Sequence, residues 1–336
     1  MTTSLALPSA SAGSGIAFHG YAGIDEIPGM GAANARLRRH VGMIEPIDPD
    51  AMRHRYTHLV NSDPLVDCLV ASRDGVTVGY ARVEWHDLTD GDRIYDVTTV
   101  VEPDAWDLGI TEAFLGWAEA RVRHVAEAQP TVRREWYANA VFDGDEELER
   151  ALKTRGYLAV RWEAEMLRPT LDDLAEKDLP DGYVIRPVAR EELPTVFEMQ
   201  VVSFAEHWGV FEAGEHRLDE WIDDPRFRLD LLVVVWAGAQ PAACVSNVEE
   251  TRDDGSRRLL LEGVCTHPAH RRRGLARAAI NHSLRLAREN GATSAYLGVD
   301  TGNPNEALAL YESCGFRKVS GSAAYRKPFE AQEMRP

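Results

Sequence analysis

Short runs of alternating apolar and polar residues occupy much of the chain, and they come twice in the same order. Asp67-Cys-Leu-Val-Ala-Ser-Arg-Asp-Gly and Gly79-Tyr-Ala-Arg-Val-Glu-Trp predict two antiparallel strands bounded by Gly and Asp turns. Asp230-Leu-Leu-Val-Val-Val-Trp-Ala-Gly and Ala242-Ala-Cys-Val-Ser-Asn-Val repeat them about 163 residues later. Each pair follows a predicted first strand, near Gly15-Ile-Ala-Phe-His-Gly and Gly182-Tyr-Val-Ile-Arg-Pro. In the second half a buried strand, Leu259 to Thr266, then leads through a turn, His270 to Ala276, into an amphipathic helix ending near Asn290. Residues 97–111 align on 262–276 through Pro103 on Pro268 and Gly109 on Gly274, and Gly156-Tyr157 matches Gly315-Phe316. The order predicts an α/β unit in each half, over 15–168 and 182–336. A flexible arm, 1–14, precedes them, and a linker rich in Asp, Glu and Pro, 169–181, joins them.

The turn is where chemistry enters. His270-Arg271-Arg272-Arg273-Gly274-Leu275-Ala276 places small residues and three arginines at the start of a helix. Small residues let backbone N–H groups approach a ligand, the helix start contributes its positive dipole end, and guanidinium groups suit phosphate oxygens. The element reads as a phosphate cradle. Neither a Gly-x-x-x-x-Gly-Lys-Ser/Thr loop nor a Gly-x-Gly-x-x-Gly turn stands nearby, which argues against nucleotide hydrolysis and dinucleotide binding.

Arg271-x-x-Gly274-x-Ala276, after a strand ending in x-Pro268, resembles the acyl-coenzyme-A signature of the GNAT acetyltransferase superfamily. About forty residues on, 299–307 and Leu310-Tyr311-Glu312-x-x-Gly315-Phe316 resemble that signature's second half. The resemblance implies two tandem GNAT folds. Each would be a mostly antiparallel mixed sheet flanked by helices, with splayed central strands. Acetyl-coenzyme A would be co-substrate, with no metal. The implied donor-binding residues are the strand edge at Val264 and Thr266, the turn Arg271, Arg272, Arg273, Gly274, Leu275 and Ala276, and one of Asn303 and Asn305. Tyr311 matches the tyrosine that protonates the coenzyme sulfur in many such enzymes, and can alternatively be read as an aromatic core residue. Mycothiol synthase is similar in having two GNAT units, but its acceptor-binding pattern is not found in residues 200–212.

Strand alternation puts Glu262 on the face of Val264, where its carboxylate could take a proton from an ammonium group; the other reading is a structural carboxylate paired with an arginine. The same alternation turns Cys265 away from Glu262. Glu206, His207 and Trp208 fall where substrate-facing helices are expected, and so could contact the acceptor or simply pack. Glu249 could attract an amine or sit in a solvated loop.

The aligned halves differ in charge. Residues 261–290 carry six arginines against Glu262 and Glu289, a net +4. Residues 96–125 carry Arg121 and Arg123 against six carboxylates, a net −4. Trp106 stands opposite Arg271, Thr111 opposite Ala276, Val97 opposite Glu262 and Leu152 opposite Tyr311. The first half is therefore expected to be a structural mate without donor binding.

A length of 336 residues suits two domains, and a formal net charge of −17 argues against nucleic acid. No apolar run reaches membrane-spanning length, and residues 1–20 lack the pattern of a secretory leader. The four cysteines, Cys68, Cys244, Cys265 and Cys314, are widely spaced, without metal-ligand spacing, and read as reduced thiols of a cytoplasmic protein. The expectation is an N-acetyltransferase acting on a primary amine of a small molecule through one C-terminal site, as a monomer in which the two halves form an internal pseudo-dimer. Alternatives are transfer of another acyl group, a non-catalytic acyl-coenzyme-A binding protein, or acetylation of protein lysines.

Overall fold

The structure is a computed structural model that describes residues 5–9, 15–44, 47–174, 179–212, 217–252, 254–302 and 307–329. It divides into two compact units, Met1–Trp162 with Ser320–Pro336, and Glu163–Val319. The division differs from the sequence halves at both ends, because each unit is completed by the last strand of the other half.

In the first unit the sheet order is β1 (Ile16–Gly20), β2 (Cys68–Arg73), β3 (Val76–Asp87), β4 (Asp92–Val101), β5 (Arg134–Phe142) and then β12 (Arg317–Pro328). All neighbours are antiparallel except β4 and β5. The contribution of β12 is its stretch Ser322 to Pro328, paired with Phe142 to Trp136. Helices α4 (Ile110–Ala128) and α5 (Glu146–Thr154) bury Phe114, Leu115, Leu148 and Leu152 against one sheet face. Helix α1 (Ile27–His40) and Tyr56 of α2 (Pro49–Thr57) cover the other. A short helix, α3 (Pro64–Asp67), precedes β2.

The second unit repeats the plan. Its order is β6 (Leu158–Arg168), β11 (Ala292–Asp300), β10 (Arg257–Thr266), β9 (Gln240–Thr251), β8 (Val233–Ala237) and β7 (Tyr183–Ile185), with β10 and β11 the parallel pair. Here Glu163 to Arg168 of β6 pair with Asp300 to Ala295. Helix α8 (Leu275–Glu289) buries Leu275, Ala279, Ile280, Leu284 and Ala287 on one face, at the spacing of an amphipathic helix. On the same side lies α9 (Ala307–Ser313) with Tyr311. Helices α6 (Leu193–Phe204) and α7 (Arg217–Asp223) pack on the opposite face through Val196, Met199 and Trp221.

The described part of the expected linker, 169–181, packs onto the second unit. Leu171 is buried in the core of the second unit, with Leu174 and Leu179 packed against it. Arg168 donates to the Cys314 carbonyl and to Asp173 Oδ1 at 2.8 Å, tying β6 to the turn after α9. Gly315 in that turn has φ +84°, and a Cβ there would lie 1.8 Å from the Arg168 Nη1. Only glycine fits the conformation and the space.

Candidate active site

The parallel pair β10/β11 extends from Arg257 on Ala292, shifts register at Arg258 on Ser294, and runs to Leu260 on Tyr296 before it parts. Beyond it, Leu261 to Thr266 and Gly298 to Asp300 line opposite walls of a cleft of about 780 Å³. On its other side β10 has a bulge: Leu261 pairs with Asn247 but Gly263 with Ser246, leaving Glu262 as the extra residue. The matching pair in the first unit, β3/β4, runs unbroken from Gly79 on Val101 to Asp87 on Arg93.

The bulge corrects two readings based on simple alternation. Val264 packs on the cluster that holds Leu259 and Leu261, while Cys265 joins the opposite cluster with its register partner Cys244. Glu262 turns toward the α6/α7 side, where Arg226 Nη2 donates to its Oε1 at 2.9 Å. It therefore does not share the face of Val264. Nor does it have a counterpart at Val97, because Val97 pairs with Val83 as Leu261 pairs with Asn247, and Thr98 alone stands where Glu262 and Gly263 stand.

Arg226 is fixed by Asp224, whose carboxylate accepts from its backbone N–H at 2.7 Å, its Nε at 3.2 Å and its Nη2 at 2.9 Å. Burial works against its charge, but the hydrogen bonds it donates to Asp224 and the field of Glu262 outweigh burial and raise its pKa. The sequence reading missed Arg226. It lies 36 residues from Glu262, and nothing local marks it.

The carbonyl of Thr266 accepts from Arg271 Nε at 3.3 Å, while the next N–H, of His267, donates to the Ala242 carbonyl of β9 at 2.9 Å. N–H and C=O of one strand residue point the same way and alternate along the strand, so Thr266 and Val264 direct theirs away from β9, toward the opening. The turn then reverses through Arg272, at φ 63°, and Gly274, at φ 79°, before α8 begins at Leu275. The first N–H groups of α8 have no intrahelical acceptor and stand at the cleft with Arg272 and Arg277. Arg277, in the first turn of the helix, was not anticipated.

The three predicted arginines separate. Arg272 lines the cleft. Arg271 also lines it, but its guanidinium is engaged by Thr266, by the Ser203 carbonyl at 3.2 Å and by Glu206 Oε2 at 2.6 Å. Arg273 is absent from the lining; it donates to Tyr183 Oη at 2.9 Å and to the Ala269 carbonyl at 3.4 Å. Tyr183 Oη is also 2.9 Å from His270 Nδ1. Burial, and then the charge of Arg273, hold the His270 pKa below the usual histidine value.

Tyr311 projects from α9 into the cleft lining and is also part of the core, edge-on to Phe316. Burial, with the Cys314 and Cys265 thiols adding to it, raises its pKa above the usual phenol value, so it keeps its proton. Asn303 and Asn305 lie outside the described residues.

Of the acceptor candidates, His207 reaches the cleft and packs edge-on against Phe204. Glu206 is paired with Arg271, and the exposed Trp208 is not part of the lining. Glu249 is neither in a loop nor in the cleft. It lies within β9, and its buried carboxylate accepts from Arg228, Arg257 and Asn290, each at 2.8 Å. Glu163 and Asp300, register partners on β6 and β11, line the cleft instead. Cys265 is buried against Cys244, and hydrogen bonding between the two thiols, with burial, raises the Cys244 pKa. Among the described residues no cluster of His, Cys, Asp or Glu could hold a metal ion, and no helix is long and apolar enough to cross a membrane.

Residues 193–316, which span α6 to the turn after α9, match the model of the acetyltransferase (GNAT) family. This stretch is a GNAT domain. The chain is accordingly an acyltransferase, of the class that uses acyl-coenzyme A. Two solved structures extend the likeness over nearly the whole chain. A GCN5-related N-acetyltransferase from Sphaerobacter thermophilus superposes with TM-score 0.74 at 16% identity, covering 98% of each chain. A tandem GNAT protein from the clavulanic acid biosynthesis pathway gives 0.70 at 14% identity, covering 95% of this chain and all of that one. At such identities the likeness concerns the fold, and it makes the first unit a second GNAT fold beside the GNAT domain. No curated protein matches the chain.

Proposed function

We propose that the protein transfers an acetyl group from acetyl-coenzyme A to a primary amine of a small molecule, in a single active cleft in the second unit. The observation that carries this reading is the parting of β10 and β11 beyond Leu260, beside a bulge and below a cationic helix start. An extended pantetheine arm adds to the free edge at Val264 and Thr266 as a strand would. The amides opening α8, with Arg272 and Arg277, take the diphosphate. One outward N–H of the bulged strand polarises the thioester carbonyl.

The amine nitrogen then bonds to the carbonyl carbon, the C–S bond breaks, the nitrogen loses a proton and the sulfur gains one. Tyr311, kept protonated by burial, supplies the proton to sulfur. Glu262 receives the proton from nitrogen, directly or through water, with Arg226 positioning its carboxylate at the bulge. The ion pair with Arg226 also favours a second reading, in which Glu262 only braces the bulge.

Calorimetric titration with acetyl-coenzyme A tests the reading. One site per chain, weakened in Arg272→Ala/Arg277→Ala and unchanged in Trp106→Ala, is the expected result. Two sites, or none, would overturn it. An amine panel read by free-thiol release then identifies the acceptor, and light scattering should return the mass of a monomer.

A further inference from the structure

Arg271 stands at the signature position of the turn, yet its guanidinium is committed inside the protein. Two of its three acceptors are backbone carbonyls where ordered elements end, Ser203 in the last turn of α6 and Thr266 at the end of β10. They fix the arginine. The third acceptor differs in kind: the Glu206 side chain is 59% exposed against 22% for Arg271. Among the described residues it makes no other hydrogen bond or ion pair. A second anion arriving at the cleft can therefore displace Glu206 without moving Arg271.

We propose that Glu206 is a competitor built into the donor site, occupying Arg271 until the phosphates of the acyl-coenzyme A expel it. The proposal rests on the acyl-coenzyme-A reading of the cleft. A pair with one well-exposed partner is weak, so its loss costs the incoming donor no more than about a two- to five-fold factor in affinity. A diphosphate has more charge than a carboxylate and also gains the amides of the α8 start, so it wins the exchange.

Titration of acetyl-coenzyme A into wild type, Glu206→Gln, Arg271→Gln and the double variant tests this at low and high salt. Glu206→Gln should bind about two- to five-fold more tightly than wild type at low salt. The gain should shrink in high salt and vanish in the Arg271→Gln background. Glu206→Ala, which also removes the charge, should reproduce the gain. Unchanged or weaker binding by both Glu206 variants overturns the proposal and makes Glu206 an anchor of Arg271, leaving the donor site itself intact. Failure of the wild type to bind at all would remove the donor reading and this proposal together.

Discussion

The openings between β4 and β5 in the first unit and between β10 and β11 in the second start from one backbone plan. Each is the parallel pair of its sheet, and each pair stops bonding partway along, at Asp96 on Ala138 and at Leu260 on Tyr296. Each leads to a helix opened by a glycine with positive φ, Gly109 at 72° and Gly274 at 79°. The side chains then diverge. In the first unit Asn139 of β5 donates to Thr99 of β4 at 3.0 Å, a buried bond across the gap; Val264, at the position of Thr99, can make no such bond. Trp106, aligned with Arg271, turns its indole N–H to the Val101 carbonyl at 3.0 Å and packs on two core clusters of its unit. A splayed sheet is thus inherited with the fold, whereas an open cationic cleft depends on a few side chains and one inserted residue.

The largest expected effect bears on that inserted residue. Glu262→Gln should lower turnover by about 10²–10⁴ if the carboxylate accepts the proton, with acetyl-coenzyme A affinity unchanged. Loss of stability with turnover retained would instead make it the brace of the bulge. Next come the paired glycines. Gly315→Ala meets the Arg168 guanidinium as well as a left-handed backbone, and should cost at least about 3 kcal/mol in urea unfolding. Gly156→Ala, at the same φ of +84° with nothing within 4 Å, should cost only about 1–2 kcal/mol. Equal costs would show that the Arg168 contact is not what reserves the position.

These comparisons also separate what the sequence disclosed from what it hid. The duplicated strand order, the strand–turn–helix around Gly274 and the charge contrast between the two turns are local patterns, and each appears in the structure where the periodicity and the turn residues placed it. The bulge left no such mark, because Glu262 reads as one more alternating position until its pairing with β9 is known. Pairings between distant side chains were equally hidden, as with Arg226 on Glu262, Glu206 on Arg271, and Glu249 among Arg228, Arg257 and Asn290. The exchange of final strands was invisible because β6 and β12 have the same place in their repeats, and alternation alone does not say which sheet a strand joins.

Two smaller effects sharpen the contrast. Arg272→Ala/Arg277→Ala should weaken acetyl-coenzyme A binding by about 10- to 100-fold, from the loss of two charge-assisted contacts. Asp104→Ala/Asp107→Ala, in the matching turn of the first unit, should change it by less than about two-fold. The last effect concerns pH. Burial pushes Asp145, the N-cap of α5, up to about 6, opposed by the hydrogen bond from the Leu148 N–H, while the carboxylate at Glu192 of the second unit is held at about 2 by Arg186. The folded value for Asp145 lies above that of an unfolded aspartate, near 3.9, so the folded state binds more protons. Its favourable contribution is full below about pH 4 and is lost as pH rises through about 6. Asp145→Asn keeps an acceptor at the cap and removes the buried charge, and should stabilise by about 1–3 kcal/mol at pH 8 and by nothing near pH 4. Denaturant titrations at the two pH values measure it.

The exchanged strands carry a consequence for how such a chain can be cut, expressed and derived. A fragment ending at residue 168 has five strands of one unit and one of the other, and the fragment beginning at 182 has the reverse. Expressed alone, each leaves one six-stranded sheet short of its edge and exposes a strand with nothing to pair with. Mixed, the fragments complement each other strand for strand, as two copies of a shorter ancestor would have done by swapping their C-termini. Held in one chain the exchange is permanent, and each half keeps a strand that the other's sheet needs.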